Sequence, residues 1–237
     1  MILNALCDVY DRLASIPKPE IPSPGYSREK ISFAIILDQD GSLVGVQDIR
    51  ETIENKPRPR IMTVPQSVIR TSGSKSNFLW ENTSYIFGFS KATLKQDTAN
   101  IPTSSDDKTT RDYETFRELH TERLKGIEDS GLIALQRFLE QWNRDDFEQN
   151  PLIATVKDDI LDTNLVFRLD GVNQYIHESK EAKKLIELRE PSNDQLTEQM
   201  CLVSGKIAPT ANTHQAIRGL ASAQSSGAAL VTNNLAA

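Results

Sequence analysis

The residue types best suited to chemistry in this chain lie between Lys56 and Lys95. There seven cations, Lys56, Arg58, Arg60, Arg70, Lys75, Lys91 and Lys95, stand against a single acid, Glu81. The whole protein carries a formal charge of −6. A cationic island in an acidic chain points to a surface for a polyanion rather than to a generally sticky one. Its second half adds Phe78, Trp80, Tyr85, Phe87 and Phe89, with Asn77 and Asn82 among them. Cations, amides and aromatic faces together are the chemistry of nucleic-acid contact. Trp80, Ile86 and Phe87 also fit the core of a strand or turn, and scattered Arg and Lys also fit a solvated rim. Within the tract, Arg70-Thr71-Ser72-Gly73-Ser74-Lys75-Ser76 is too small and polar to build a core and reads as an exposed loop. Gly73 can take a positive φ, which lets consecutive backbone N–H groups turn toward one anion. The spacing of a P-loop is missing.

Other chemistry finds no constellation. No serine sits in G-x-S-x-G. His120-x-Glu122 matches the ligand-and-acid pair of zinc deaminases, but no P-C-x-x-C follows it; on the helical face of Phe116 and Leu124, His120 reads as a half-buried packing residue. Asp106-Asp107, Asp145-Asp146 and Asp158-Asp159 are adjacent, so their side chains diverge instead of converging on one metal. Cys201 with His214 gives too few ligands for zinc. Asp38-Gln39-Asp40-Gly41 has turn chemistry, and Ile49 stands where a calcium loop needs its bidentate acid. The residues that remain are those of a binding protein, without catalysis, metal or cofactor.

The elements that must position the tract are of both kinds. At 237 residues, 38% hydrophobic and 25% charged, the chain can bury a real core. Two cysteines exclude a disulfide framework, and no apolar run approaches about 18 residues, so a cytoplasmic protein without membrane contact is expected. Ile2, Leu3, Leu6, Tyr10 and Leu13 space out a short amphipathic helix that stops before Pro17. Ile31–Leu37 and Leu43–Ile49 read as a hairpin about the turn at 38–41, and Ile61–Val64 as a third strand. Gln96–Lys108 reads as an exposed loop. Helices follow, one capped by Thr110 or Asp112 and carrying Tyr113, Phe116, Leu119 and Leu124, and one opened by Ser130 with Leu132, Leu135, Phe138, Leu139 and Trp142 on a stripe. Asn164–Leu169 reads as a strand, Val172–Arg189 as a third long helix and Met200–Val203 as a strand. The fold expected is α+β: an N-terminal β-sheet region with packed helices over 1–100, a helical layer over 101–195, and a further β-prone segment over 196–237.

Several blocks in order resemble the large subunit of the subtype I-C CRISPR surveillance complex, or Cascade. They are Met1-Ile2-Leu3 with Tyr10-Asp11-Arg12-Leu13; Ile36-Leu37-Asp38 to Gly41; Val64-Pro65 with Arg70-Thr71-Ser72-Gly73; Asn77-Phe78-Leu79-Trp80-Glu81-Asn82; and Tyr85-Ile86-Phe87-Gly88. Cys201-Leu202-Val203-Ser204-Gly205 to His214 and Ala223 through Val231 complete the set. Gln215 departs from the proline expected after the histidine, and the resemblance covers the N-terminal part of such subunits. It implies a non-catalytic member of a ribonucleoprotein complex that inspects the protospacer-adjacent motif in double-stranded DNA and helps open it for guide RNA pairing. A recruited helicase-nuclease then does the cutting, and neighbouring subunits complete the assembly.

Under that resemblance Arg58, Arg60, Arg70, Lys75 and Lys91 would neutralise phosphates, a sequence-blind term. Asn77 and Asn82, or the loop Thr71, Ser72, Gly73, Ser74 to Ser76, would reach base edges in the minor groove. Phe78 or Trp80 would wedge or stack, with core packing the competing fate. Gln224, Ser225, Ser226 and Gly227 would lie at a subunit interface. Two rival expectations stand beside this one: a scaffold that docks on the 5′ handle of the guide RNA and on neighbouring subunits without reading DNA, and a metal-dependent nuclease.

Overall fold

The computed structural model describes residues 2–16, 21–70, 73–96, 108–188, 197–201, 204–210 and 228. The chain divides into two compact units, Ile21–Leu188 and a smaller one of Met1–Glu20 with Arg189–Ala237. The first helix, α1 (Ile2–Ala14), belongs to the smaller unit. Of its predicted stripe, Leu6 is 44% and Leu13 39% exposed.

In the larger unit the chain runs through β1 (Tyr26–Ile31), β2 (Phe33–Leu37), β3 (Leu43–Asp48), β4 (Glu51–Ile53), β5 (Lys56–Arg58), β6 (Arg60–Pro65) and β7 (Trp80–Asn82). Then come α2 (Thr83–Ile86), α3 (Lys91–Gln96), α4 (Lys108–Arg123) and α5 (Ser130–Gln141), followed by single turns α6 (Asp146–Gln149), α7 (Pro151–Ala154) and α8 (Lys157–Ile160). The strand β8 (Asn164–Leu169), a 3₁₀ turn at Ile176–Glu178 and α9 (Lys180–Glu187) complete it. In the smaller unit β9 (Thr197–Met200) and β10 (Ile207–Thr210) form an antiparallel pair.

A four-stranded sheet of order β3-β2-β8-β7 is the middle layer, with β2 and β8 parallel and the other pairs antiparallel. Because alternate residues of a strand point to opposite faces, Phe33, Ile35 and Leu37 of β2 and Leu165, Phe167 and Leu169 of β8 share one face, where Phe116 of α4 and Leu132, Leu135 and Phe138 of α5 join them in the main core. Ala34, Val166 and Trp80 share the other face and pack on Ile31, Met62 and Val64 of the β1–β6 ribbon. This sandwiching is why β2 reads as a continuous apolar run.

The α+β expectation holds. The β2–β3 hairpin forms about its predicted turn, where Asp38 Oδ1 accepts from the N–H of Asp40 at 3.0 Å and of Ser42 at 2.7 Å. Three local expectations are corrected. Neither Thr110 nor Asp112 caps α4: both lie within it, and Asp112 is turned into the protein. Asp129, not Ser130, caps α5 by accepting from the Leu132 N–H. The long helix over 172–189 is instead a 3₁₀ turn and the short α9, because Ser179 accepts from the Ala182 N–H and restarts the helix there. Leu202 and Val203 of the expected strand, the core of the 96–108 loop, and Gln224, Ser225, Ser226 and Gly227 lie outside the described residues. Among the described residues no helix is long and apolar enough to cross a membrane.

Candidate nucleic-acid interface

The cationic tract is carried by two elements. Lys56 and Arg58 belong to the β4–β5 hairpin, every residue of which from 51 to 58 is exposed. Glu54 (φ 51) and Asn55 (φ 59) form its turn in the left-handed region, which asparagine tolerates. Arg60 opens β6 and faces Glu51 at 3.8 Å, both side chains about half exposed. Lys91 opens α3 at a separate place and is also exposed.

The second element is the loop from Gln66 to Asn77, tied down at both ends. Gln66 N–H donates to the Gly25 carbonyl at 2.8 Å and Ser67 N–H to Ser27 Oγ at 3.1 Å. Val68 N–H donates to Asn77 Oδ1 at 2.8 Å. Below the loop lie two buried carboxylates, Glu81 and Asp112, each 1% exposed. Glu81 stands opposite Leu165 on β7, so it points to the helix side of the sheet at its edge. It accepts from the Asn77 N–H at 3.2 Å, from the Asn82 N–H at 2.9 Å and from Arg70 Nη2. The same guanidinium donates from Nε to the Lys75 carbonyl at 2.7 Å and lies 4.7 Å from the centroid of Tyr85. Asp112 accepts from Ser74 Oγ at 2.7 Å and from Ser84 Oγ at 3.2 Å.

Burial pushes the Glu81 carboxyl above the usual range, against the pull of Arg70 and of the two backbone N–H groups. Burial, with the Asp112 carboxylate adding to it, also pushes the Tyr85 phenol up, so it stays protonated and hydrogen-bonded to Asp112. The cluster therefore joins Arg70, Ser74, Asn77 and Asn82 of the predicted set in one network. That network uses their polar groups internally. Asn77 is 3% exposed. Asn82 caps α2, its Oδ1 accepting from Ser84 N–H at 2.9 Å. Among the described residues of the loop, Lys75 is exposed, and so is Gly73, whose φ of +70 is matched by open space where a Cβ would stand. Thr71 and Ser72 lie outside the described residues.

The aromatic half of the tract is support. Phe78 lies between the Arg123 guanidinium, 3.7 Å from its centroid, and the His120 ring at 5.3 Å. Trp80, 3% exposed, donates from Nε1 to the Pro65 carbonyl at 2.7 Å. His120 is wholly buried rather than half-buried. Its Nε2 accepts from the N–H of Leu79, a residue at φ 65, and its Nδ1 meets the Phe116 carbonyl at 2.7 Å. These partners fix a neutral ring protonated at Nδ1, and burial lowers its pKa to about 3.

Glu81, Asp112 and Tyr85 were missed in the sequence as site residues. The signal was present in one of them, since Glu81 is the single acid among seven cations. Among the described residues no group of three or more His, Cys, Asp or Glu side chains is placed to hold a metal.

Comparison with known proteins adds identity to this geometry. None of the curated proteins matches the chain. A family model described as CRISPR-associated protein (Cas_Csd1) matches residues 6–237, nearly the full length. The chain thus belongs to the Cas_Csd1 family of CRISPR-associated proteins.

Proposed function

We propose that this chain is a non-catalytic component of a CRISPR interference complex of subtype I-C, part of its large subunit. In this role it meets double-stranded target DNA at the protospacer-adjacent motif and helps open the duplex for guide RNA pairing, while a recruited helicase-nuclease cleaves. Such complexes leave sequence reading to base pairing and need from the protein a short-motif reader and a backbone grip. The observation that carries the proposal is the loop 66–77, fixed from beneath by Glu81 and Asp112 while Lys75 and Gly73 face outward. A loop whose underside is hydrogen-bonded loses little entropy on docking.

The test is a titration of the full chain with duplexes that carry or lack candidate motifs, over a range of salt. Lys75→Ala is expected to lower affinity about equally on all sequences and to reduce the log–log salt slope by about one. An unchanged slope removes Lys75 from the contact set, and a wild-type chain indifferent to every motif sinks the reading.

The internal use of Asn77 and Asn82 favours a second reading, in which the chain holds the 5′ handle of the guide RNA and neighbouring subunits and does not read bases. Tighter binding to handle RNA than to any duplex decides for it. DNA cleaved by the purified chain with magnesium or manganese would overturn the non-catalytic part of both.

A further inference from the structure

We infer that the β4–β5 hairpin, with Arg60 behind it, is a separate grip on the phosphodiester backbone of a nucleic-acid strand. The inference rests on the nucleic-acid-facing reading above but concerns a different element from the loop 66–77.

The register pairs Glu51 with Arg58, Thr52 with Pro57 and Ile53 with Lys56. Directly opposite residues of an antiparallel pair share a face. Lys56, Arg58 and Ile53, with Glu51 opposite Arg58, therefore lie on one side of the ribbon, and Thr52 and Pro57 on the other; the cations outnumber the acid on that side. Ile53 is 53% exposed, and neither Lys56 nor Arg58 makes an ion pair with a described residue. Along Lys56-Pro57-Arg58-Pro59-Arg60 a cation recurs at every second residue, about 6.7 Å apart on an extended strand. A regular row of cations meets a regular row of phosphates. The two prolines hold φ near one value, so the row is set before anything binds. Arg60 is shared with Glu51 at 3.8 Å in solvent, a pair weak enough to yield to a phosphate.

The same prolines argue against a protein strand as the occupant. With Glu54 and Asn55 as the two-residue turn, Ile53 and Lys56 form the hydrogen-bonded pair and Thr52 and Pro57 the non-bonded pair, whose N–H positions face outward. Pro57 thus stands where the outer edge of β5 would carry its donor. A partner strand finds no N–H to pair with there, whereas the cationic face remains open to an anion.

The experiment compares the full chain with its K56A/R58A variant on duplex DNA and on single-stranded DNA of the same sequence, across a range of salt. The variant is expected to bind more weakly, with the salt slope reduced by about two, and by the same amount on motif-bearing and motif-lacking sequences. A reduction on the duplex alone assigns the strand to paired DNA, and a reduction on both forms assigns a strand that need not be paired. Slopes unchanged on both forms overturn the inference, as does a loss confined to motif-bearing DNA, which would make the hairpin a base reader. K56R/R58K, which conserves charge, is expected to keep the wild-type slope; its failure to do so also overturns the inference. Motif preference in the wild-type chain separates the two readings, since its absence sinks motif recognition and leaves the backbone grip standing.

Discussion

Removing Arg70 and neutralising Glu81 are not mirror-image changes. Arg70→Ala leaves a carboxylate, 1% exposed, with only the two backbone N–H groups of Asn77 and Asn82. Glu81→Gln leaves a guanidinium whose side chain is already 35% exposed and can turn to water. Breaking a buried pair is severe when the stranded charge stays buried. Arg70→Ala is expected to destabilise the protein by about 3 kcal/mol, and Glu81→Gln by about 1–2 kcal/mol. Urea unfolding of both variants checks the order, and equal losses would mean that the pair is not what holds the loop. The freed Arg70 of Glu81→Gln should also raise the salt slope of DNA binding by about one, while Arg70→Ala should not raise it. In the folded protein the residue holds the loop through Glu81 and the Lys75 carbonyl.

At the scale of elements, close approach decides more than charge. Gly41 ends the β2–β3 turn at φ +84, and a Cβ there would stand 2.5 Å from both Arg137 Cβ and the Phe138 backbone N of α5. The turn is pressed against the helix, and backbone cannot give way as a flexible side chain does. Gly41→Ala is therefore expected to cost about 3 kcal/mol, combining a left-handed φ with a backbone clash. A thermal midpoint within a degree or so of wild type would show that α5 can shift away. The hairpin β4–β5 is the opposite case, since its residues are exposed and substitutions on it should leave stability nearly unchanged.

For the molecule as a whole, two buried neutral imidazoles make stability depend on pH. Burial lowers His120 to about 3 and His177 to about 4, the latter opposed in part by the Thr63 backbone. The unfolded chain takes up these protons near pH 6.5 and the folded one does not. Their contribution is complete above about pH 6.5 and is lost as pH falls, at about 1.4 kcal/mol per pH unit for each histidine. Glu81, raised in the folded state, acts with the opposite sign and offsets part of the loss at the acid end. Urea midpoints measured from neutral pH to about pH 4 should decline; a flat profile refutes the burial of both rings. Both ring nitrogens of His177 lack a well-formed hydrogen bond, and the ring stacks on Tyr175 at 5.7 Å. His177→Phe is therefore expected to stay within about 1 kcal/mol of wild type at pH 7 while removing most of one proton from the uptake on unfolding near pH 5. A larger loss would mean that contact with the Thr63 backbone matters more than desolvation.

Sequence by itself determined what local chemistry determines. The hairpin about Asp38–Gly41, the strand Asn164–Leu169, the stripe of α5 and the cationic tract were legible because apolar spacing, turn residues and charge are properties of neighbours in the chain. The support role of the Asn77–Gly88 segment was partly legible, since aromatic residues fit a core as well as a ligand. Only the tertiary structure decided that Asn77 and Arg70 turn inward, because the fold of the loop over β7 brings Val68 and Glu81 to them; Asn82 is held locally, as the cap of α2, by Ser84 two residues on. Asp112 looked like a helix cap for the same reason: its real partner, Ser74, is 38 residues away. The cations of Lys56 and Arg58 stayed outward because the short β4–β5 ribbon brings no apolar face to bury. Charge pattern locates the cations along the chain, and long-range packing fixes which of them stay exposed.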